Sequence, residues 1–364
     1  MGLCISRPGM ASDHGSVEQV PERSRPQPQA TPAHNPKGIP PRLDAKRVHL
    51  RTLGKSAHPS LDAYAAAATS LVKQKRQPGM EMTRLDMENL PALASAENAR
   101  HPELKLRCYA NPLDFLDSLA QLPEGSSRAI VRLANGGNLG IHHTAIDIQK
   151  RPGQPATFIV LEPSTLNEHT YRPQRQLLGA MGRRGADTAH IAIVEVGAQK
   201  SPKDCVMYCL NFALKAMKNA AVFDELHRSL AETGTLKPEI SFEQHFAFND
   251  GFLKERGEQK TRNDLGKVAY AAGALVLPPD FFKHASSLAL GESVAAIAAQ
   301  RSALGELPAT ARVNSMRHPH PESLTERIEA YRATRRDADG KFTYSASIEG
   351  FRLQEIARAK VRAR

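Results

Sequence analysis

Residues Gln199-Lys200-Ser201-Pro202-Lys203-Asp204-Cys205-Val206-Met207-Tyr208 decide how this chain is read. A cysteine stands at the start of a helical pattern, directly after an apolar run, Ala189 to Val196, with the composition of a buried strand. A glutamine lies six residues before it. Upstream, His142 and Glu162 each fall in a strand-like stretch, so the chain order is His, Glu, Cys. A nucleophilic thiol needs a base to take its proton and a third group to orient that base. All three are present, and the Gln199 amide is placed to hold an oxyanion together with the Cys205 backbone N–H. At a helix start, the macrodipole and the unsatisfied N–H groups favour a thiolate.

Working outward, the helical period continues from Cys205 through Ala220, with Val206, Leu210, Ala213, Leu214 and Met217 apolar and Lys215 and Lys218 expected to face outward. Cys209, one turn on, reads as core. Four strands are expected before Cys205: Arg128 to Leu133, Leu139 to Ile148, Thr157 to Glu162 and His190 to Val196. Asn135-Gly136-Gly137-Asn138 reads as the hairpin turn between the first two. Helical spacing is expected over Leu61 to Val72, Met82 to Asn98 and Leu113 to Leu122. The first 50 or so residues are rich in Pro, Ser, Gln and Arg, and read as a disordered tether. After Phe248 the pattern is mixed helix and loop, ending in a strongly basic segment.

The chain has 364 residues and a formal net charge of +11, which favours anionic partners. It has no tryptophan and few aromatics, so base-stacking platforms, and with them nucleic acid, are not expected. Cys4, Cys108, Cys205 and Cys209 show neither a pairing pattern nor zinc spacing, so no metal is expected and a reducing compartment fits. No stretch reaches the roughly 18 apolar residues of a spanning helix, and no secretory signal is visible. The start Met1-Gly2-Leu3-Cys4-Ile5-Ser6 matches the myristoylation pattern, with Gly2 as acceptor and Cys4 as a candidate palmitoyl site. A single acyl chain anchors only marginally, so a second signal is needed. Both point to a host membrane inside a eukaryotic cell.

The segments IHHTAID (141–147), FIVLEP (158–163), AQKSPKDCVMY (198–208), LNFALKAMKNA (210–220), LPPDFFKH (277–284), RVNS (312–315) and SASIEGFRLQEI (345–356) resemble the YopJ family, and most of all its myristoylated plant-pathogen branch. The resemblance runs from about Ser60 onward. It implies an α/β (α+β) fold: a core like that of clan CE cysteine proteases, with a mixed sheet flanked by helices and an added helical regulatory region. The implied layout is a tether over 1–55 and an acetyltransferase domain over 56–364. Its catalytic core would span about 100–250, with regulatory parts at 60–110 and 270–364. The implied activity is acetyl transfer from acetyl-CoA to Ser, Thr or Lys of host proteins, activated by inositol hexakisphosphate, by an effector secreted into the host cell.

Residue by residue, the resemblance implies a His142–Glu162–Cys205 triad, with His143, the neighbour on the opposite strand face, as the alternative base. It places inositol-phosphate ligands at Arg100, Lys283, Arg312 and Arg327, and self-acetylation at Lys283. Lys215 and Lys218 are candidates for CoA phosphates. Ser345 and Ser347 match the family's SAS motif, but the upstream hydroxyl, Thr343, is one position off, so its regulatory role is in doubt. Two other classes stay open: a cysteine protease of ubiquitin-like conjugates using the same triad, and a non-enzymatic membrane-tethered decoy.

Overall fold

The computed structural model describes residues 38–134, 141–164, 174, 177–181, 190–199, 203–236, 268–284 and 346–364. Three helices come first: α1 (Pro41–Thr52), α2 (Pro59–Gln74) and α3 (Met80–Arg100). Each of α1 and α2 opens on a proline, whose fixed φ and missing N–H cost nothing at that position. Helix α2 buries the expected face, with Leu61, Tyr64, Ala65, Ala68 and Val72 inside. Helix α1 falls within residues expected to be tether. It buries Leu43 and Leu50, two turns apart, while the rest of it is largely polar.

The sheet follows: β1 (Leu106–Tyr109), a short helix α4 (Pro112–Asp117), β2 (Gly125–Ala134), β3 (Ile141–Lys150), β4 (Thr157–Glu162) and β5 (Ile191–Glu195). Helices α5 (Cys205–Lys218) and α6 (Ala220–Thr233) come next, then β6 (Ala269–Ala272) and, last of the described elements, α7 (Ala346–Arg362). The six strands lie in chain order. β1–β2, β4–β5 and β5–β6 are parallel, whereas β2–β3 and β3–β4 are antiparallel. This is the mixed sheet flanked by helices that the resemblance implied. The β2–β3 register, closing at Ala134 opposite Ile141, is that of a hairpin; the Asn135–Asn138 turn itself lies outside the described residues.

Both sheet faces are covered, which is why β4 and β5 are buried at every position. One face presents Ile130, Ala145, Leu161 and Val194 to α5 and the helical region. The other presents Val131, Ile146, Val160 and Ile193 to Phe115 of α4 and to Leu177 and Met181. Two expectations are corrected here. The helix after Cys205 breaks at Asn219, where α6 starts anew, instead of running through Ala220. The helix expected over Leu113 to Leu122 is α4 followed by a 3-10 turn at Leu119–Gln121.

No helix among the described residues is long and apolar enough to cross a membrane.

Candidate active site and the basic cavity

Cys205 opens α5 and is buried, its N-terminal neighbour Asp204 standing outside the helix. On the sheet, His142 and Glu162 face each other across the β3–β4 ladder. His142 Nε2 lies 2.8 Å from Glu162 Oε2. The carboxylate accepts two more hydrogen bonds: one from the Gln174 side-chain amide at 2.6 Å, the other from the Ser164 backbone N–H at 2.9 Å. Glu162 is fully buried, and these donors compensate its charge. Gln174 was invisible in the sequence, because it sits in a polar stretch with no period or motif to mark it.

The sulfur has other partners. Cys205 Sγ lies 3.6 Å from His143 Nδ1 and 3.7 Å from the Ile141 carbonyl. The expectation was that the Glu162-held histidine faces the thiol; the direct contact comes from its neighbour instead. Strand alternation explains this. Ala145 belongs to the α5-side core and Ile146 to the opposite one, so His143 points toward α5 and His142 away. Glu162, one residue past the α5-side Leu161, shares the His142 face. Ile141 is the first residue of β3, so the two faces meet at this rim.

Electrostatics separate the two histidines. Burial first, then His142 and Arg132, pushes the His143 imidazole down to about 3, so it stays neutral and is a weak base. His142 has a carboxylate partner, which fixes its tautomer and ring orientation. The thiol is pushed up to about 12, chiefly by burial, and Asp86, Asp204 and Glu162 add to the rise. A thiol this protonated reacts only when a base takes its proton as it attacks.

Gln199 is buried on the loop after β5, and its backbone N–H donates to the Pro163 carbonyl at 2.8 Å, tying that loop to the end of β4. Asp147, five residues after His142, is committed elsewhere: it pairs with Arg128 at 2.7 Å and His227 at 2.8 Å.

A cavity of about 520 Å³ lies between the helical region and α5. Among the described residues its walls carry seven lysines and arginines against two carboxylates: Arg42 and Lys46 of α1, Arg100 of α3, Lys215 and Lys218 of α5, Lys283, and Arg358 of α7, facing Glu97 and Asp280. Arg100 and Lys283, expected at an inositol phosphate, do come together here. Lys215 and Lys218, expected at CoA phosphates, line the same cavity. Lys218 is exposed, but Lys215, expected to face outward, is buried, with its Nζ 5.7 Å above the Phe281 ring and no hydrogen-bond partner among the described residues. The 3-10 turn Pro279–Phe282 covers that face of α5, and the helical period alone could not show it. Burial, then Asp280 acting against it, then Lys283 and Lys218 leave Lys215 at about 7; burial, then Lys283, bring Lys46 down to about 8.

Sequence reasoning missed Arg42, Lys46 and Arg358; the first two lay in the presumed tether. Arg107 lies on β1 and is not among the residues that line the cavity. Arg312, Arg327, Thr343, Ser345, Gly2 and Cys4 fall outside the described residues.

A thiol at the first turn of a sheet-packed helix touches one of two adjacent strand histidines, while a buried carboxylate holds the other; these are residue types with which a cysteine nucleophile can work. The chain belongs to the YopJ serine/threonine acetyltransferase family, whose profile matches residues 61–358. It is 32% identical over 327 residues to the serine/threonine-protein acetyltransferase HopZ1a of Pseudomonas syringae pv. syringae, covering 87% of this chain and 85% of that protein. The crystal structure of HopZ1a in complex with IP6 superposes with a TM-score of 0.71 at 29% identity, over 89% of this chain and 99% of the crystallised chain. The structure of HopZ1a with IP6 and CoA superposes with a TM-score of 0.70 at 28% identity, over the same shares of the two chains.

Proposed function

We propose that this protein is an acetyltransferase effector, secreted by a bacterium into a host cell, that moves acetyl from acetyl-CoA to Ser, Thr or Lys of host proteins and is activated by inositol hexakisphosphate. The observation that carries this reading over peptide hydrolysis is the basic cavity. A protease of ubiquitin-like conjugates has no need of seven converging cations, whereas a polyphosphate does. Lys215, buried on its wall with no hydrogen bond among the described residues, fits such a ligand. That HopZ1a has been crystallised with IP6 and with CoA supports the same ligands here.

In the proposed reaction His142, oriented by Glu162, takes the Cys205 proton as the sulfur turns from Ile141 and His143 toward it. The thiolate attacks the acetyl carbonyl carbon, a new S–C bond forms, and the C–S bond to CoA breaks. The departing CoA sulfur takes the proton back from the imidazolium. The tetrahedral oxyanion rests on the Gln199 amide and the Cys205 N–H. His142 then takes a proton from the acceptor hydroxyl or amine, which attacks acetyl-Cys205 and returns the thiol. Incubation with labelled acetyl-CoA, with and without inositol hexakisphosphate, tests this. Label in protein only when the polyphosphate is present supports the reading; cleavage of a ubiquitin-like conjugate with no label transfer overturns it.

A pH dependence follows from the cavity. Lys46 at about 8 and Lys215 at about 7 are partly neutral near pH 8. A bound polyanion favours their charged forms and raises both values. Binding therefore takes up protons near pH 8, and affinity falls as pH rises through that range. Calorimetry in two buffers of different ionisation enthalpy measures the net uptake, to which the ligand's own phosphates also contribute; Lys46→Met and Lys215→Met should each lower it, and an uptake unchanged in both would show that these lysines do not meet the ligand.

Residues 1–37 act, in this proposal, as a lipid-bearing lead to the membrane. Gly2→Ala is expected to move the protein from membrane to soluble fractions while leaving transfer to a soluble acceptor intact. A Gly2→Ala variant that stays in the membrane fraction contradicts it.

A further inference from the structure

Asp204 immediately precedes the nucleophile, and an aspartate there would ordinarily cap the helix by accepting from the N–H groups of its first turn. It makes no such bond. Its carboxylate is drawn off by Arg352 of α7, whose Nη2 lies 2.6 Å from Asp204 Oδ1. The same guanidinium binds Asp86 of α3 through Nε and Nη2, each at 2.9 Å, and Glu349 through Nη1. Tyr64 of α2 donates to Asp86. Arg352, Asp86, Asp204 and Glu349 are all fully buried. One guanidinium thus holds three carboxyl groups from three separate segments directly behind Cys205.

We propose that Arg352 is a positioning residue for the nucleophile: by holding the Asp204 carboxylate away from the first turn of α5, it leaves the dipole of that turn to the sulfur and the oxyanion, and makes the setting of Cys205 depend on the docking of α7. The proposal rests on the reading of Cys205 as nucleophile and of the basic cavity as the activator site. Its regulatory content comes from the same helix. One stretch of α7 supplies Arg352 to the nucleophile, while Gly350, Phe351, Gln354 and Arg358 line the cavity. Lys46 of α1 also grips α7, donating to the Gly350 carbonyl and the Gln354 side chain at 2.9 Å. A polyphosphate that draws α1, α3 and α7 together thereby fixes the arginine behind the thiol.

The charges around Cys205 give this a signature that packing alone does not have. Asp86, Asp204 and Glu162 all raise the thiol, and His143 is held neutral beside it. Without Arg352, Asp204 is free to cap α5 and its charge is uncompensated, so the thiolate becomes harder to form. With asparagine at 204, that charge is gone.

The test is the alkylation rate of Cys205 against pH, read by mass on the Cys205 peptide. It is made on full-length protein with saturating inositol hexakisphosphate, alongside acetyl transfer and polyphosphate binding. Arg352→Gln is expected to move the alkylation profile to higher pH and to lower transfer tenfold or more even at saturating polyphosphate, and to weaken polyphosphate binding, because a ligand that favours the docked arginine is favoured by it in turn. Asp204→Asn is expected to move the profile to lower pH, and Arg352→Gln/Asp204→Asn to recover part of the lost reactivity. A folded Arg352→Gln protein with wild-type profile and transfer overturns the proposal. If Arg352→Gln does not fold, Asp204→Asn decides alone, since it leaves Arg352 bound to Asp86 and Glu349; an unmoved profile there also overturns it. Failure of the underlying reading looks different: wild-type protein would then form no acetyl-Cys205 or bind no inositol hexakisphosphate.

Discussion

Alanine at Cys205 is expected to abolish acetyl transfer, and alanine at His142 or Glu162 to come close to it, each losing on the order of a thousandfold or more because the three act as a unit. The thiol is buried and pushed up to about 12, so little thiolate exists without a base. Glu162 is bound by His142, Gln174 and the Ser164 N–H, so its removal strands three donors and frees the imidazole. His143 gives the sharper comparison. It touches the sulfur, yet its imidazole is held down to about 3. His143→Asn should therefore cost much less than His142→Ala. Initial rates with labelled acetyl-CoA, with melting temperatures checking the fold, decide this. The opposite ranking would make His143 the base.

Reversing charge in the cavity is expected to be the next largest effect. Lys283 and Arg42 are exposed on its rim, so Lys283→Glu or Arg42→Glu should leave the core undisturbed. A lost charge-assisted contact is worth roughly 1.5–3 kcal/mol, so each reversal should weaken inositol hexakisphosphate binding by about tenfold or more and raise the concentration needed for half activation in step. Alkylation of Cys205 without polyphosphate should not change, because neither residue is among the charges that shift the thiol. Full activity of phytase-treated protein in polyphosphate-free buffer would remove the activator from the account.

The parts of the fold that were legible share a physical cause. β4 is expected at Thr157 to Glu162 and found there, because an apolar run buried on both faces ends at a proline. α2 is legible because its buried face, Leu61 to Val72, repeats at helical spacing over about three turns. α1 was not, since two leucines in a polar segment make no period until α7 is there to cover them. The same limit applies at the site. Cys205, His142 and Glu162 carry their chemistry in residue type and order, whereas Gln174 and Arg352 acquire theirs only by where the fold sets them. The contact between Cys205 and His143 follows from which strand face α5 covers, and alternation alone leaves that choice open. Lys215 was misplaced for a like reason, as the turn that buries it comes from far along the chain.

The central claim is that acetyl passes through the Cys205 sulfur. The most direct measurement is peptide mass spectrometry of full-length protein, quenched in acid after mixing with acetyl-CoA and inositol hexakisphosphate in the absence of an acceptor protein. The account predicts one acetyl group on the Cys205 peptide, labile to hydroxylamine and lost when acceptor is added. Acetylated acceptor or acetyl-Lys283 produced at the wild-type rate by Cys205→Ala would contradict it.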